Sequence, residues 1–389
     1  MRYKLKEIFD LQMGKTPSRK NLDYWNTKDY KWISIADLSQ TRKYISDTKE
    51  YLSCSAVEES GIKVIPANTV VMSFKLSIGK TAITSEDMYS NEAIMAFHDK
   101  HVVELLPEYI YYMFKCKNWD EGSNKAVMGK TLNKATLSEV EIDICPVVGQ
   151  REIVNVLDKI MRIMSDRREE IKLLDDLIKS RFIEMFGVYP ANPMGWEIGT
   201  IRDIVTEVRY GSSRPAVDGG KYPYLRMNNI TYGGELDLSD TKRIDIPDNE
   251  LEKCTVRRGD VLFNRTNSKE LVGKTCVYDR DELMVLAGFV IRIRVKDRIL
   301  PEFLSAFLNT DFSKKMLFGM CKTAIGQANI NAQELQNIGL YLPPVELQRR
   351  FVQFKKETDK SKLTIQKSLD ELETLNKALM QKYFGGNGV

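Results

Sequence analysis

Ile78-Gly79-Lys80-Thr81-Ala82-Ile83 returns as Val272-Gly273-Lys274-Thr275-Cys276-Val277, 194 residues further along the chain. Leu106-Pro107-Glu108-Tyr109-Ile110 returns as Leu300-Pro301-Glu302-Phe303-Leu304 at the same displacement. A repeat of long period fixes the architecture before any single element is assigned. Outward from these blocks the match continues. Leu132-Asn133, Pro146-Val147, Gln150-Arg151 and Phe186-Gly187 pair with Ile330-Asn331, Pro344-Val345, Gln348-Arg349 and Phe384-Gly385 at a displacement of 198, so four residues are inserted between the blocks. Toward the N-terminus, Tyr30-Lys31-Trp32-Ile33-Ser34-Ile35 aligns more weakly with Tyr222-Pro223-Tyr224-Leu225-Arg226-Met227 at 192. Nearly the whole chain is two copies of one unit.

Each copy contains two kinds of periodicity. Its first three-quarters mix short apolar runs, such as Val70-Val71-Met72, Val261-Leu262-Phe263 and Phe289-Val290-Ile291-Arg292-Ile293, with Gly, Asn, Asp and Pro punctuation. That pattern reads as short strands, with one helix after each Leu-Pro-Glu. The last quarter carries a 3.5-residue seam: Ile153, Leu157, Ile160, Met164, Ile171, Leu174 and Ile178, interrupted by Arg167. In the second copy Leu347, Phe351, Phe354, Ile365, Leu372, Leu375 and Leu379 keep the spacing, with Thr358, Ser361 and Ser368 as polar interruptions. Such seams are coiled-coil signatures, and the second is expected to pair less tightly in its middle. Each helix starts after a proline, Pro146 or Pro344, and stops at a glycine, Gly187 or Gly385. About 38 residues at 1.5 Å each make a rod of roughly 57 Å, and a lone striped helix needs a partner, most simply its own repeat. Ordinary bundle helices are the blander alternative, against which length and matched placement argue.

The predicted fold is mixed α/β (α+β): two globular domains at 1–145 and 188–342, and two long antiparallel coiled-coil helices with pseudo-two-fold symmetry. The helices are expected at 146–187 and, with the C-terminal tail, at 343–389.

A chain of 389 residues suits two or three domains, and 43% hydrophobic with 29% charged residues is a globular balance. With 58 Lys plus Arg against 54 Asp plus Glu the formal charge is only +4, so any basic surface must be local. The longest apolar stretch, Leu283 to Ile291, is too short to span a bilayer. The Met1-to-Lys6 start also lacks the apolar run of a signal peptide, so no membrane contact and a cytoplasmic location are expected. Six scattered cysteines without a Cys-x-x-Cys pair argue against a zinc or redox motif and are expected reduced and mostly buried.

The chemistry-bearing motifs are weak. A Walker A loop needs a glycine five residues before Gly-Lys, where Phe74 and Ser268 stand, so the two Gly-Lys-Thr sites read as turns into strands. His98 and His101 could face one metal, but their polar context and lack of a counterpart favour a solvated loop. Pro343-Pro344 follows Leu342, which does not make the Asn- or Asp-Pro-Pro-aromatic loop that holds a flipped adenine, and no glycine-rich cofactor fingerprint follows a strand. Neither a catalytic residue nor a metal site is predicted.

What remains is chemistry suited to DNA. Arginine can grip guanine and asparagine adenine, while Ser, Thr and Lys hold phosphates. The second copy offers Arg226, Asn228 and Asn229 on one strand end and Asn264, Arg265, Asn267, Ser268, Lys269 and Lys274 on the next. The first copy offers Lys75 and Lys80, within Ser73-Phe74-Lys75-Leu76-Ser77 and Gly79-Lys80-Thr81. Turn-forming, solvated polar residues are the alternative for any one of them. Because Ala36-Asp37-Leu38 stands where the second copy has Asn228-Asn229-Ile230, the two domains should read different bases.

The whole pattern resembles the specificity subunits of Type I restriction–modification systems. Gly259-Asp260-Val261-Leu262-Phe263-Asn264-Arg265-Thr266-Asn267, the Gly326-Gln327-x-Asn329-Ile330 turn and the Pro343-Pro344 helix start carry the resemblance. The first copy matches only by type, through Ala67-Asn68-Thr69 and Gly129-Lys130-Thr131. The family's Glu-Gln at each helix start is Gly149-Gln150 and Leu347-Gln348 here. The resemblance implies a non-catalytic protein that binds double-stranded DNA, each domain reading half of a split target across an unread spacer. It also implies two modification subunits carrying S-adenosylmethionine, and restriction subunits that use ATP and Mg. A stand-alone DNA-recognition adaptor, the recognition half of a system whose catalytic chain is normally fused, and a nuclease or methyltransferase acting alone are the other readings.

Overall fold

The computed structural model describes residues 1–25, 27–75, 77–119, 132–324 and 327–385. Gly129-Lys130-Thr131 and Gly326, two of the motif positions above, and Leu76 lie outside them. The architecture is mixed α/β with two long helices, Val147–Phe186 and Val345–Phe384. Each stops at a glycine whose N–H donates to the carbonyl four residues back, Gly187 to Ile183 and Gly385 to Gln381. Gly187 takes the left-handed φ of +81° that only glycine adopts freely.

Contacts divide the chain into two compact units: Met1–Arg167 with Ser368–Val389, and Arg168–Lys367. The division runs through both long helices rather than around them, because each helix segment packs into the core of a unit.

In the first unit the main sheet has the order Phe9–Met13, Ile94–Asp99, Val70–Ser73, Thr81–Thr84, Tyr44–Ile45. The second unit repeats it as Val205–Tyr210, Val290–Val295, Val261–Asn264, Thr275–Val277. A second sheet, of three strands in the first unit and four in the second, is built on Tyr30–Ile33 in one and Tyr222–Leu225 in the other. The helix after each Leu-Pro-Glu is present, at Pro107–Cys116 and Pro301–Leu308, with proline in its first turn where its missing N–H costs nothing. Each Gly-Lys-Thr is a turn into a strand, with Gly79 at φ +87° and Gly273 at +81°.

The core of the first unit joins Phe97, Ile110, Phe114, Leu137 and Leu157, with Ile153 from the start of the first long helix and Leu379 and Phe384 from the end of the second. The core of the second unit joins Phe263, Ile291, Phe303 and Phe307 to Ile178, Phe182 and Phe186 from the end of the first helix and Phe351 from the start of the second. In each unit, therefore, the paired segments are antiparallel. Ile160 and Met164 are also buried, and Ile171 and Leu174 half-buried, as the seam requires.

The seam of the second helix needs correction. Leu375 is 47% exposed while Leu369 is 5% exposed. The inward series is Phe351, Lys355, Thr358, Lys362, Ile365, Leu369, Leu372, Asn376, Leu379 and Tyr383, all buried or half-buried. Its alternating steps of four and three place every second position one residue later than expected, and Leu375 on the solvent side; Phe354, also expected inward, is half-buried beside Lys355. Two further expectations change. His98 is in strand Ile94–Asp99, paired with Asp10 and bonded to Gln12, because the apolar run before it continues the sheet. Only Cys254 and Cys276 of the six free cysteines are buried; Cys54 is exposed.

Candidate nucleic-acid interface

In both units one strand of the main sheet ends in a loop that returns through Gly-Lys-Thr. The backbone closure is the same: Ser73 N–H to Lys80 O at 2.9 Å and Gly79 N–H to Ser73 O at 2.9 Å in the first unit. In the second, Asn264 N–H reaches Lys274 O at 2.8 Å and Gly273 N–H reaches Asn264 O at 2.8 Å. The loop between these closures is three residues longer in the second unit, 265–272 against 74–78.

The second loop is held out from its sheet by backbone bonds. Arg265 N–H donates to Phe289 O at 3.0 Å and its carbonyl accepts from Ile330 N–H at 2.9 Å. Thr266–Asn267 then adds a strand to Gln327–Asn329. The half-buried Arg265 guanidinium lies 4.7 Å from the centre of the Tyr210 ring, and its Nε has no hydrogen-bond partner among the described residues. Stacking on tyrosine fixes the plane of a guanidinium while leaving its fork edge able to donate. Phe289 is 50% exposed and Tyr210 43% exposed. Lys269 Nζ lies 4.3 Å from the centre of the Phe318 ring. Asn267 and Ser268 are half-buried, Asn267 Oδ1 accepting from Ser268 N–H at 2.9 Å.

Most other candidates are held by partners within their own unit. Lys274 is 7% exposed, and its Nζ donates to Met227 O at 2.9 Å; burial pushes its pKa down. Lys80 Nζ likewise binds Ser39 Oγ. Both lysines of the Gly-Lys-Thr turns thus tie the loop to a neighbouring helical turn. Asn229 is 2% exposed, and its amide closes a turn by accepting from Arg226 N–H at 2.8 Å and donating to Asp237 O at 2.8 Å. Arg226 is paired with Asp240 Oδ2 at 2.9 Å, whereas Asn228 beside it is exposed. Asn264 is fully buried, and neither atom of its amide has a partner among the described residues. Of the original set, Asn228 is exposed, and Arg265, Asn267, Ser268 and Lys269 are half-buried on one loop. Lys75, in the first unit, is half-buried with Nζ 5.2 Å from the Phe74 ring.

Three features escaped the sequence reading. Tyr210 and Phe289 come from strand ends with no local pattern marking them. Arg19, stacked 3.8 Å over Trp25 and bridged to Glu50 in the first unit, is equally unmarked. Gln150 and Gln348 did carry a signal, since they recur in the repeat. Both are fully buried. Gln150 accepts from Leu106 N–H at 3.0 Å and donates to Glu104 O and Cys145 O at 2.9 Å. Gln348 accepts from Leu300 N–H at 2.8 Å and donates to Arg298 O at 3.1 Å and Pro343 O at 2.8 Å.

Among the described residues no group of three or more His, Cys, Asp and Glu could hold a metal ion, and no helix is long and apolar enough to cross a membrane.

The MjaIX specificity subunit of the Type I restriction enzyme of Methanocaldococcus jannaschii is 28% identical over 260 residues, 61% of this chain and 59% of that protein. A second relative from that organism matches over 46% of its own length, so the chain spans about half the length of these two relatives. The EcoKI specificity subunit of Escherichia coli is 21% identical over 408 residues, covering 97% of this chain and 87% of that protein. Among solved structures, a chain of a type I R-M system superimposes with TM-score 0.63 at 18% identity, over 99% of this chain and 97% of that one. The S subunit from M. genitalium gives 0.54 at 14%, over 98% and 95%. These likenesses show the fold. The Type I restriction modification DNA specificity domain matches twice, at residues 1–173 and 193–374, once on each copy of the repeat. The chain belongs to the Type I restriction modification DNA specificity domain family.

Proposed function

We propose that this chain is the sequence-specific DNA-binding specificity subunit of a Type I restriction–modification complex. Each globular part reads one half of a bipartite duplex target, and the long helices set the spacer and dock two modification subunits. The observation that carries this reading is the double family match, which falls on both copies of a repeat whose equivalent loops differ in length and chemistry. Equivalent frames with unlike loops suit two different half-sites.

In this reading Arg265 is the leading base-reading residue, since its stacked guanidinium is preorganised for a guanine edge. Asn228, Asn267, Ser268 and Lys269 in the second unit, and Lys75 in the first, contribute base or phosphate contacts. The chain itself is non-catalytic and without cofactor, and acts in the cytoplasm. S-adenosylmethionine belongs to the modification subunits, ATP and Mg to the restriction subunits.

The test is reconstitution. The purified chain incubated with DNA and S-adenosylmethionine or Mg²⁺ should neither methylate nor cut, whereas adding the modification subunits should give adenine methylation at a split sequence. Turnover by the chain alone, or methylation without sequence preference, would contradict the reading.

A further inference from the structure

Two of the contacts that hold the second unit's globular part on the helix pair differ in character. At one end, Phe182, Phe186, Phe303 and Phe351 form a packed aromatic cluster with ring centroids 4.9–5.7 Å apart. At the other lies a cavity of about 510 Å³ with charged walls, among them Asp175, Glu235, Arg280, Lys355, Asp359 and Lys362. Across that cavity the Lys362 side chain, 13% exposed, reaches Asp175 Oδ1 of the first long helix at 2.6 Å and Glu235 Oε1 of the globular part at 2.7 Å. Burial pushes the lysine pKa down, but the hydrogen bonds and charges of the two carboxylates more than offset this, and the ammonium stays charged.

Glu235 sits on a hydrogen-bonded turn. Thr231 N–H donates to Glu235 O at 2.9 Å, Glu235 N–H to Thr231 Oγ1 at 3.0 Å, and Ile230 pairs with Leu236. Gly234, at φ +87°, lies so close to Asn309 Nδ2 and Thr275 O that a Cβ would stand 2.5 and 2.8 Å from them. The same turn is laced to the candidate interface: Asp237 N–H donates to Asn229 O at 2.9 Å, and Asn229 Nδ2 to Asp237 O at 2.8 Å. A continuous chain of bonds thus runs from the second helix to the segment bearing Arg226 and Asn228.

We propose that Lys362 is a positioning residue for DNA recognition. By tying Glu235 to Asp175 across the cavity it stops the globular part from pivoting on its aromatic end, and so fixes the Arg226–Asn229 segment. This rests on the reading of the chain as a DNA specificity subunit. Neither sequence nor repeat marks the residue, since the equivalent position in the first copy is Met164.

The experiment uses the full chain, with Lys362→Met, Lys362→Arg and the exchange Lys362→Glu with Glu235→Lys. Two readouts keep the tie and its functional consequence apart. Hydrogen exchange of the amides of residues 229–237 should quicken in Lys362→Met, recover in Lys362→Arg and recover partly in the exchange variant. In the complex with modification subunits, Lys362→Met should lose about tenfold of its discrimination at one half-site and keep that at the other, a coupling of ordinary size for a closely paired charge. Unchanged exchange at 229–237 overturns the tie. Faster exchange with both half-sites unaltered, or both equally weakened, overturns the positioning role. An unvaried complex without sequence preference would remove the DNA reading and with it the recognition part of the proposal, while the exchange data still decide the tie.

Discussion

The two units share a frame but are fastened to their helices by opposite chemistry. In the first, the globular part supplies cations and phenols: Lys43 Nζ lies 2.6 Å from Asp158 Oδ1 of the first long helix, Tyr112 also donates to Asp158, and Arg42 donates to Ser165 Oγ at 2.7 Å. In the second, the helix supplies the cation, Lys362, and the globular part the carboxylate, Glu235. The repeat equivalent of Asp158 is Lys356, whose Nζ lies 3.6 Å from Glu302. Among the polar fastenings of the described residues, the glutamine clamp is common to both. Gln150 and Gln348 bind backbone groups, which any sequence provides once the chain path is kept, whereas contacts between side chains need both partners to match. A duplicated frame can therefore keep its backbone clamp while its side-chain fastenings diverge.

The interiors differ as well, and there the largest effect is expected. Arg292 in the second unit is 2% exposed and lies on its strand opposite Leu262, where the first unit has Ala96 opposite Val71. Its Nη2 donates to Glu207 at 2.7 Å, and Arg294 bridges Glu207 at 2.8 Å and Asp260 at 2.9 Å. Arg292→Met should destabilise the second unit by about 3 kcal/mol, the low end for breaking a buried pair because Arg294 still faces both carboxylates. Urea unfolding followed by hydrogen exchange in each unit checks this, and the first unit should be unaffected. The same network makes the second unit acid-sensitive. Burial raises the Glu207 pKa, but Arg292 and Arg294 more than reverse that and hold it below the usual carboxylate range. Its contribution is therefore complete above the unfolded value near 4.3 and lost as pH falls below it.

A smaller and equal loss is expected at the shared clamp. Gln150→Ala and Gln348→Ala each leave one N–H and two carbonyls without their side-chain partner, at a cost of about 2–3 kcal/mol in the respective unit. Unequal losses would show that the two clamps are not equivalent. Smallest is Asp158→Asn. Its side chain is 41% exposed, and weakening its pair with Lys43 should cost about 0.5–1 kcal/mol, read from the same unfolding curves.

Much of the frame was legible because it is written in periodicity and punctuation. The matched Leu-Pro-Glu helices, the Gly-Lys-Thr turns and the Pro-to-Gly limits of the long helices all depend on local chain chemistry. The second helix shows where that signal fades. With Lys355, Thr358 and Lys362 in the seam and leucines at both 372 and 375, apolar spacing alone did not fix the phase; burial of Leu369 and exposure of Leu375 did. The candidate interface was less legible still. Arg265 and Lys274 look alike in sequence, yet one stacks on Tyr210 and the other donates inward to Met227, partners 55 and 47 residues away. Residue type marked a suitable chemistry, and the path of distant strands decided which side chains remain available.

The most direct test of a two-half reader is to map the adenines methylated by the complex of this chain with modification subunits, unvaried and with Arg265→Ala. The expected result is a split motif with a fixed spacer, in which the variant weakens or relaxes one half by about 1–3 kcal/mol and leaves the other half and the spacer unchanged. A contiguous motif, or equal relaxation of both halves, would contradict it.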